Sequence, residues 1–197
     1  MNTHLPIPQR TGNARGFTLI ELLIVITIIA ILAGMAFPVT NRVINQARKA
    51  ECNQMISNLE TAIKGYQLEY GHIPLNGGAS ADVYDSPTDS PGAGLELLKC
   101  LMGLPSVGYT NPRQRVFFEP KYSDSGRGGV VIDAMGVPTG LFDPWGGPYL
   151  ISLDADFDKN LLDRETTTAT LRKDVLIYSP GPDNNPAVWN DNLMSWK

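Results

Sequence analysis

Histidine is nearly missing from this chain of 197 residues, which carries two. His4 lies in the N-terminal segment and His72 stands alone after a glycine, so neither a histidine dyad nor a zinc site is available. No G-x-S-x-G, P-loop or G-x-G-x-x-G pattern occurs, and the clustered carboxylates sit in turn sequences beside Asn and Lys. The chain is therefore expected not to be an enzyme. A basic surplus is also lacking: 16 Lys and Arg stand against 20 Asp and Glu, a net charge of −4, which leaves no surface for nucleic acid. The two cysteines, Cys52 and Cys100, are too few for a metal cluster. They are either a disulfide in an oxidising compartment or two separate buried thiols, and their spacing leaves both open.

The sequence does have a long apolar run, Leu19 to Val39, interrupted near its start by Glu21. The chain has room for one globular domain plus a membrane segment. A secretory signal peptide has an apolar run of 7 to 15 residues followed by an A-x-A-like site. This run continues past Phe37 with no such site, so a membrane anchor fits better, given that about 20 apolar residues span the ~30 Å hydrocarbon core. Arg10 and Arg15, with no acid before Glu21, put the N-terminus in the cytoplasm. Glu21 remains unexplained by either reading, because a carboxylate within a membrane helix costs roughly 2.5 to 3.5 kcal/mol and marks a partner.

The residues just before the run supply one. Gly16-Phe17-Thr18-Leu19-Ile20-Glu21 resembles the processing site of the type IV prepilin family, which includes the type II secretion pseudopilins. The resemblance implies cleavage between Gly16 and Phe17 by a prepilin peptidase and methylation of the new amino group on Phe17. That amine is a cation released into apolar surroundings. In a stack of identical helices the Glu21 carboxylate of one subunit meets the Phe17 amine of the next, and a subunit out of register leaves both charges unpaired. The other reading of Glu21 is a side chain that snorkels to the headgroups.

Beyond the run, Pro38 is expected to kink or loosen the helix. Val39, Val43, Ala47, Cys52, Met55, Ile56, Leu59, Ala62, Ile63, Tyr66 and Tyr70 then recur at three- and four-residue steps. This predicts an amphipathic helix ending near Gly71, and from Phe17 to Tyr70 it is roughly 80 Å long at 1.5 Å per residue. Residues 75–94 read as an irregular polar loop, Gly94 to Gly103 as a short helix, RVFFEPKY as a strand ended by Pro120, and GGVVIDAMGVP as another strand. The expected fold is α+β and pilin-like, a long N-terminal helix packed on a small antiparallel sheet with a long connecting region. The expected divisions are a leader at 1–16, a membrane and filament-core helix at 17–38, an amphipathic helix at 39–71, a variable connection at 72–141 and a β-sheet region at 142–197.

The stretch Asp143-Pro144-Trp145-Gly146-Gly147-Pro148-Tyr149 resembles the opening of the sheet in major type II secretion pseudopilins. It reads as a turn with a large apolar anchor before the strand YLISL. Asp154 to Glu165 follows, with Asp154, Asp156 and Asp158 at loop positions one, three and five, Asn160 at seven and Glu165 at twelve. That spacing matches a calcium loop, apart from Lys159 in place of the glycine at position six, and the alternative is a solvated acidic hairpin tip. In the tail, a strand from Val175 to Tyr178 precedes a Gly-x-Asp turn. The pseudopilin resemblance implies that such a tail binds calcium through Asp183 and Asp191, although Asn184 and Asn185 depart from the family's glycine-rich continuation. A Pro- and Asn-rich loop of this kind is expected to have little apolar burial of its own.

The resemblance thus implies a subunit of a periplasmic pseudopilus, single-pass in the bacterial inner membrane with its head in the periplasm. Its implied partners are a prepilin peptidase and methyltransferase, identical subunits, other pseudopilins and an inner-membrane assembly platform. A type IV pilus subunit is the alternative, and a tethered binding module that never polymerises is a third.

Overall fold

The computed structural model describes residues 16–74, 83–85 and 93–197, with the side chains of 35–41, 83–85 and 93 outside that description. The expected leader, up to residue 15, and most of the expected loop at 75–94 fall outside it. The chain divides into two compact units, Met1–Ile44 and Asn45–Lys197. The elements run α1 (Leu19–Tyr70), β1 (Val83–Asp85), α2 (Ala93–Leu101), β2 (Gly129–Ile132), β3 (Pro138–Phe142), β4 (Leu150–Leu153), β5 (Leu161–Leu162), β6 (Thr170–Leu171), β7 (Val175–Ser179) and β8 (Leu193–Met194). A long N-terminal helix followed by antiparallel sheets is the α+β, pilin-like architecture.

Helix α1 begins at a reciprocal cap. Thr18 Oγ1 accepts from the Glu21 amide at 3.3 Å, and Glu21 Oε2 accepts from the Thr18 amide at 2.8 Å, so two orphan donors of the first turn are satisfied. The helix runs on through Pro38 and ends where the Gly71 amide donates to the Gln67 carbonyl at 2.8 Å, as expected. Its buried stripe is shorter than the sequence pattern predicts. Cys52, Met55, Ile56, Leu59, Ala62, Ile63 and Tyr66 are buried, but Val43 and Ala47 are exposed because nothing described packs against that turn.

The main sheet is antiparallel with strand order β1-β4-β7-β8, while β2 pairs with β3 and β5 with β6 in two hairpins. Strand β4 is buried along its whole length, and so is β7. Their apolar side chains join the α1 stripe and Leu97, Leu98 and Leu101 of α2 in one core. Tyr66 and Tyr70 carry polar tips out of it: the Tyr66 hydroxyl donates to the Thr110 carbonyl, and that of Tyr70 to Asn111 Oδ1 at 2.7 Å.

The strand expected at YLISL, that at Val175 to Tyr178, that within GGVVIDAMGVP and the helix at Gly94 to Gly103 all occur. Three expectations are corrected. The stretch read as loop contains β1, a three-residue strand on the sheet edge. RVFFEPKY is not a strand, because the amides of Phe117 and Phe118 both donate to the Leu101 carbonyl at the end of α2, at 2.8 and 3.0 Å. In β2, where the sequence pattern puts Val130 and Ile132 on one face and Val131 and Asp133 on the other, a bulge between Val131 and Ile132 ends the alternation and leaves Val130 buried and Ile132 exposed.

Leu59 lies at the centre of the stripe, so Leu59→Ala is expected to cost about 2–5 kcal/mol, whereas Leu68→Ala, on the exposed face, is expected to cost under about 0.5 kcal/mol. Thermal melting of the detergent-solubilised chain measures both.

Candidate assembly and metal-binding sites

At the N-terminus, Gly16 and Phe17 precede the helix, and Phe17 is 79% exposed. The large apolar side chains from Leu19 to Leu32 are all exposed, between 46% and 84%, so no described part of the chain covers them. Glu21 is not left bare among them. Its Oε2 accepts from both the amide and the hydroxyl of Thr18, at 2.8 and 2.7 Å. The sequence signal for this was the T-L-I-E spacing of a capping box, which the apolar run obscured. Among the described residues no helix is long and apolar enough to cross a membrane. The expected run to Val39 includes residues 35–41, whose side chains lie outside the description.

In the head, the best-connected polar group is Asp143, which is fully buried. Its Oδ1 accepts from the amides of Trp145, Gly146 and Gly147 at 2.9, 2.8 and 2.8 Å, and its Oδ2 accepts from the Ser179 hydroxyl at 2.5 Å. Burial pushes this carboxyl above its ordinary range, and the four donors, which favour the charged form, pull against that shift. Gly147 permits the close approach: a Cβ there would lie 2.6 Å from Pro180 and 2.9 Å from Asp143 Oδ2. The nearby thiol of Cys52 is pushed up to about 11 by burial, as is that of Cys100. Both cysteines are free, so of the two readings left open they are separate, unreactive buried thiols.

The acidic loop between β4 and β5 brings Asp154, Asp156 and Asp158 together, each with a carboxylate oxygen within 4.8 Å of the others. Glu165 is placed elsewhere, where its carboxylate accepts from Lys197. Asp154 is only 2% exposed, and burial raises its carboxyl above the ordinary range. Lys159, at the position where a calcium loop has glycine, adopts φ 60, and its amide donates to Asp154 Oδ2 at 2.9 Å.

In the tail, Asp183 closes a short helical turn, Gly181–Asp183, and accepts from the Asn185 amide at 2.8 Å. A Cβ on Gly181 would lie 2.4 Å from the Asp191 carbonyl oxygen, so the two aspartates sit on backbone segments in direct contact. Asp191 Oδ1 is buried without a hydrogen-bond partner. The Pro- and Asn-rich loop is exposed from Pro182 to Val188, in line with the expectation of little apolar burial, and its anchoring contacts lie at its end. Trp189 and Trp196 pack on Tyr178 with ring centroids 5.0 and 6.0 Å apart, and Leu193 enters the core.

Residues 11–37 match the prokaryotic N-terminal methylation motif. The match marks the N-terminal segment as type IV prepilin-like. The chain is 36% identical over 90 residues to the type IV major pilin protein PilE1 of Neisseria gonorrhoeae, covering 46% of this chain and 49% of that one. It is 32% identical over 86 residues to the type II secretion system core protein G of Escherichia coli K12, covering 42% of this chain and 57% of that one. Prepilin peptidase-dependent protein D of the same organism is 38% identical over 74 residues, 38% of this chain and 50% of that one. The chain spans about half the length of the curated relatives it matches. No solved structure matches.

The structural role of Asp143 was only half visible in the sequence. Its turn was legible in Asp-Pro-Trp-Gly, but its bond to Ser179, 36 residues later, was not. Asp143→Ala is expected to destabilise the head by about 3 kcal/mol or more, since three amides and a hydroxyl lose their acceptor, and Ser179→Ala by about 1 kcal/mol. Chemical denaturation of the two variants beside the parent measures the difference.

Proposed function

We propose that this chain is a structural subunit of a type II secretion pseudopilus, cut between Gly16 and Phe17, methylated on Phe17 and polymerised through α1. The observation that carries the reading is the processing motif joined to a helix whose apolar side chains are exposed from Leu19 to Leu32. Such a surface is stable only against lipid or like helices. The chain would sit in the inner membrane with a cytoplasmic N-terminus and a periplasmic head, and its partners would be a prepilin peptidase and methyltransferase, further pseudopilins and an assembly platform. In the free subunit Thr18 holds the Glu21 carboxylate. In the filament the methylated amine of a neighbouring Phe17 takes that place, and the charge pair sets the register. Calcium at the tail, through Asp183 and Asp191, belongs to the same reading, and the unpartnered Asp191 Oδ1 supports it.

A type IV pilus subunit is the second reading, favoured by the similarity to pilin PilE1. The secretion branch is preferred on the Asp143–Tyr149 stretch, together with a C-terminal region that carries no cysteine pair.

Mass analysis of membrane fractions is expected to give a mature chain starting at methylated Phe17. Gly16→Trp is expected to leave the full precursor in the membrane. A Cβ at Gly16 meets nothing within 4 Å, so that loss would report processing and not folding. Glu21→Ala is expected to be processed yet to lose most inter-subunit cross-linking, and cross-linking at the parent level would overturn the pairing.

A further inference from the structure

We propose that the loop between β4 and β5 binds one calcium ion through the carboxylates of Asp154, Asp156 and Asp158, in addition to any ion held by the tail. Two independent observations meet here. The first is the cluster itself: three carboxylate oxygens lie within 4.8 Å of one another. Calcium binds oxygen at 2.3–2.6 Å, so two of its ligands stand at most about 5 Å apart, and the three aspartates already span a distance that one ion fills. The second is Asp154 Oδ1, which has no hydrogen-bond partner although its residue is only 2% exposed. A buried carboxylate oxygen left without a donor is costly unless a cation meets it.

The backbone agrees with this use. Asp154 is fixed at the end of β4, where its amide donates to the Asp174 carbonyl at 3.1 Å. The left-handed turn at Lys159, φ 60, supplies what the missing glycine would, and its amide holds the other oxygen of Asp154. An all-oxygen, triply negative set selects a hard cation. Because Glu165 is engaged with Lys197 and not with the cluster, the remaining ligands are main-chain carbonyls and water. The site therefore belongs with the weak calcium loops, with Kd of roughly 10⁻⁴ to 10⁻³ M. It stands whether or not the chain polymerises, so its failure and that of the assembly reading are separable.

The test is thermal melting of the full chain in detergent with EDTA, 5 mM calcium chloride or 5 mM magnesium chloride. Three proteins are compared: the parent, D156N/D158N and D183N/D191N. Asp156 and Asp158 are exposed, so the first double variant keeps the fold, which its melting in EDTA verifies. The parent is expected to gain about 2–6 °C with calcium and little with magnesium. That gain is expected to fall in D156N/D158N to the share that the tail supplies, and to persist, at least in part, in D183N/D191N. No calcium shift in the parent, or a full shift in D156N/D158N, overturns the site, and an equal shift with magnesium overturns the assignment to calcium.

Discussion

The carboxylate of Asp143 is where the separate pieces of the head are joined. A charge cannot be buried cheaply, and this one is kept by four donors, three from the turn that follows it and one from Ser179 at the end of β7. The turn delivers Trp145 and Tyr149 to the core and starts β4, the strand that pairs with both β1 and β7. Ser179 in turn accepts from the Gly181 amide at 3.0 Å, which sets the path of the tail. One buried group thus couples the β3 end, the β4 start and the C-terminal loop. The hydrophobic effect is non-directional and fills the space around it, whereas the hydrogen bonds of Asp143 choose which strand ends meet.

The two ends of the molecule obey opposite rules. In the head, apolar side chains of α1 from Cys52 to Tyr66 are covered by the chain's own sheet. From Leu19 to Leu32 the same helix leaves its apolar side chains exposed all round. A helix that is apolar on every side has no single face to bury, so its partner must surround it.

What was legible in the sequence follows from how local each signal is. The end of α1 at Gly71 and the buried runs of β4 and β7 announce themselves in consecutive residues. RVFFEPKY failed because alternation alone says nothing about whether a neighbouring strand exists, and here the amides of Phe117 and Phe118 find the carbonyl of Leu101 instead. Strand β1 was missed because three residues in a polar, turn-rich stretch carry no period, and only the edge of β4 gives them a partner. Among the site residues, the cluster of Asp154, Asp156 and Asp158 could be read from its spacing. The departure of Glu165 could not, since its partner Lys197 lies 32 residues further along the chain. The bond between Asp143 and Ser179 was likewise invisible, as it depends on the pairing of β4 with β7.

Under the assembly proposed above, the cap at the start of α1 bears on what a subunit exchanges when it joins a filament. Because Thr18 already satisfies Glu21, a subunit waiting in a bilayer does not carry a bare ion in search of a partner. Joining a filament then becomes an exchange of one set of donors for another, and leaving it returns the carboxylate to the set it left. Such an exchange swaps neutral donors for a charged one and leaves the carboxylate satisfied in both states.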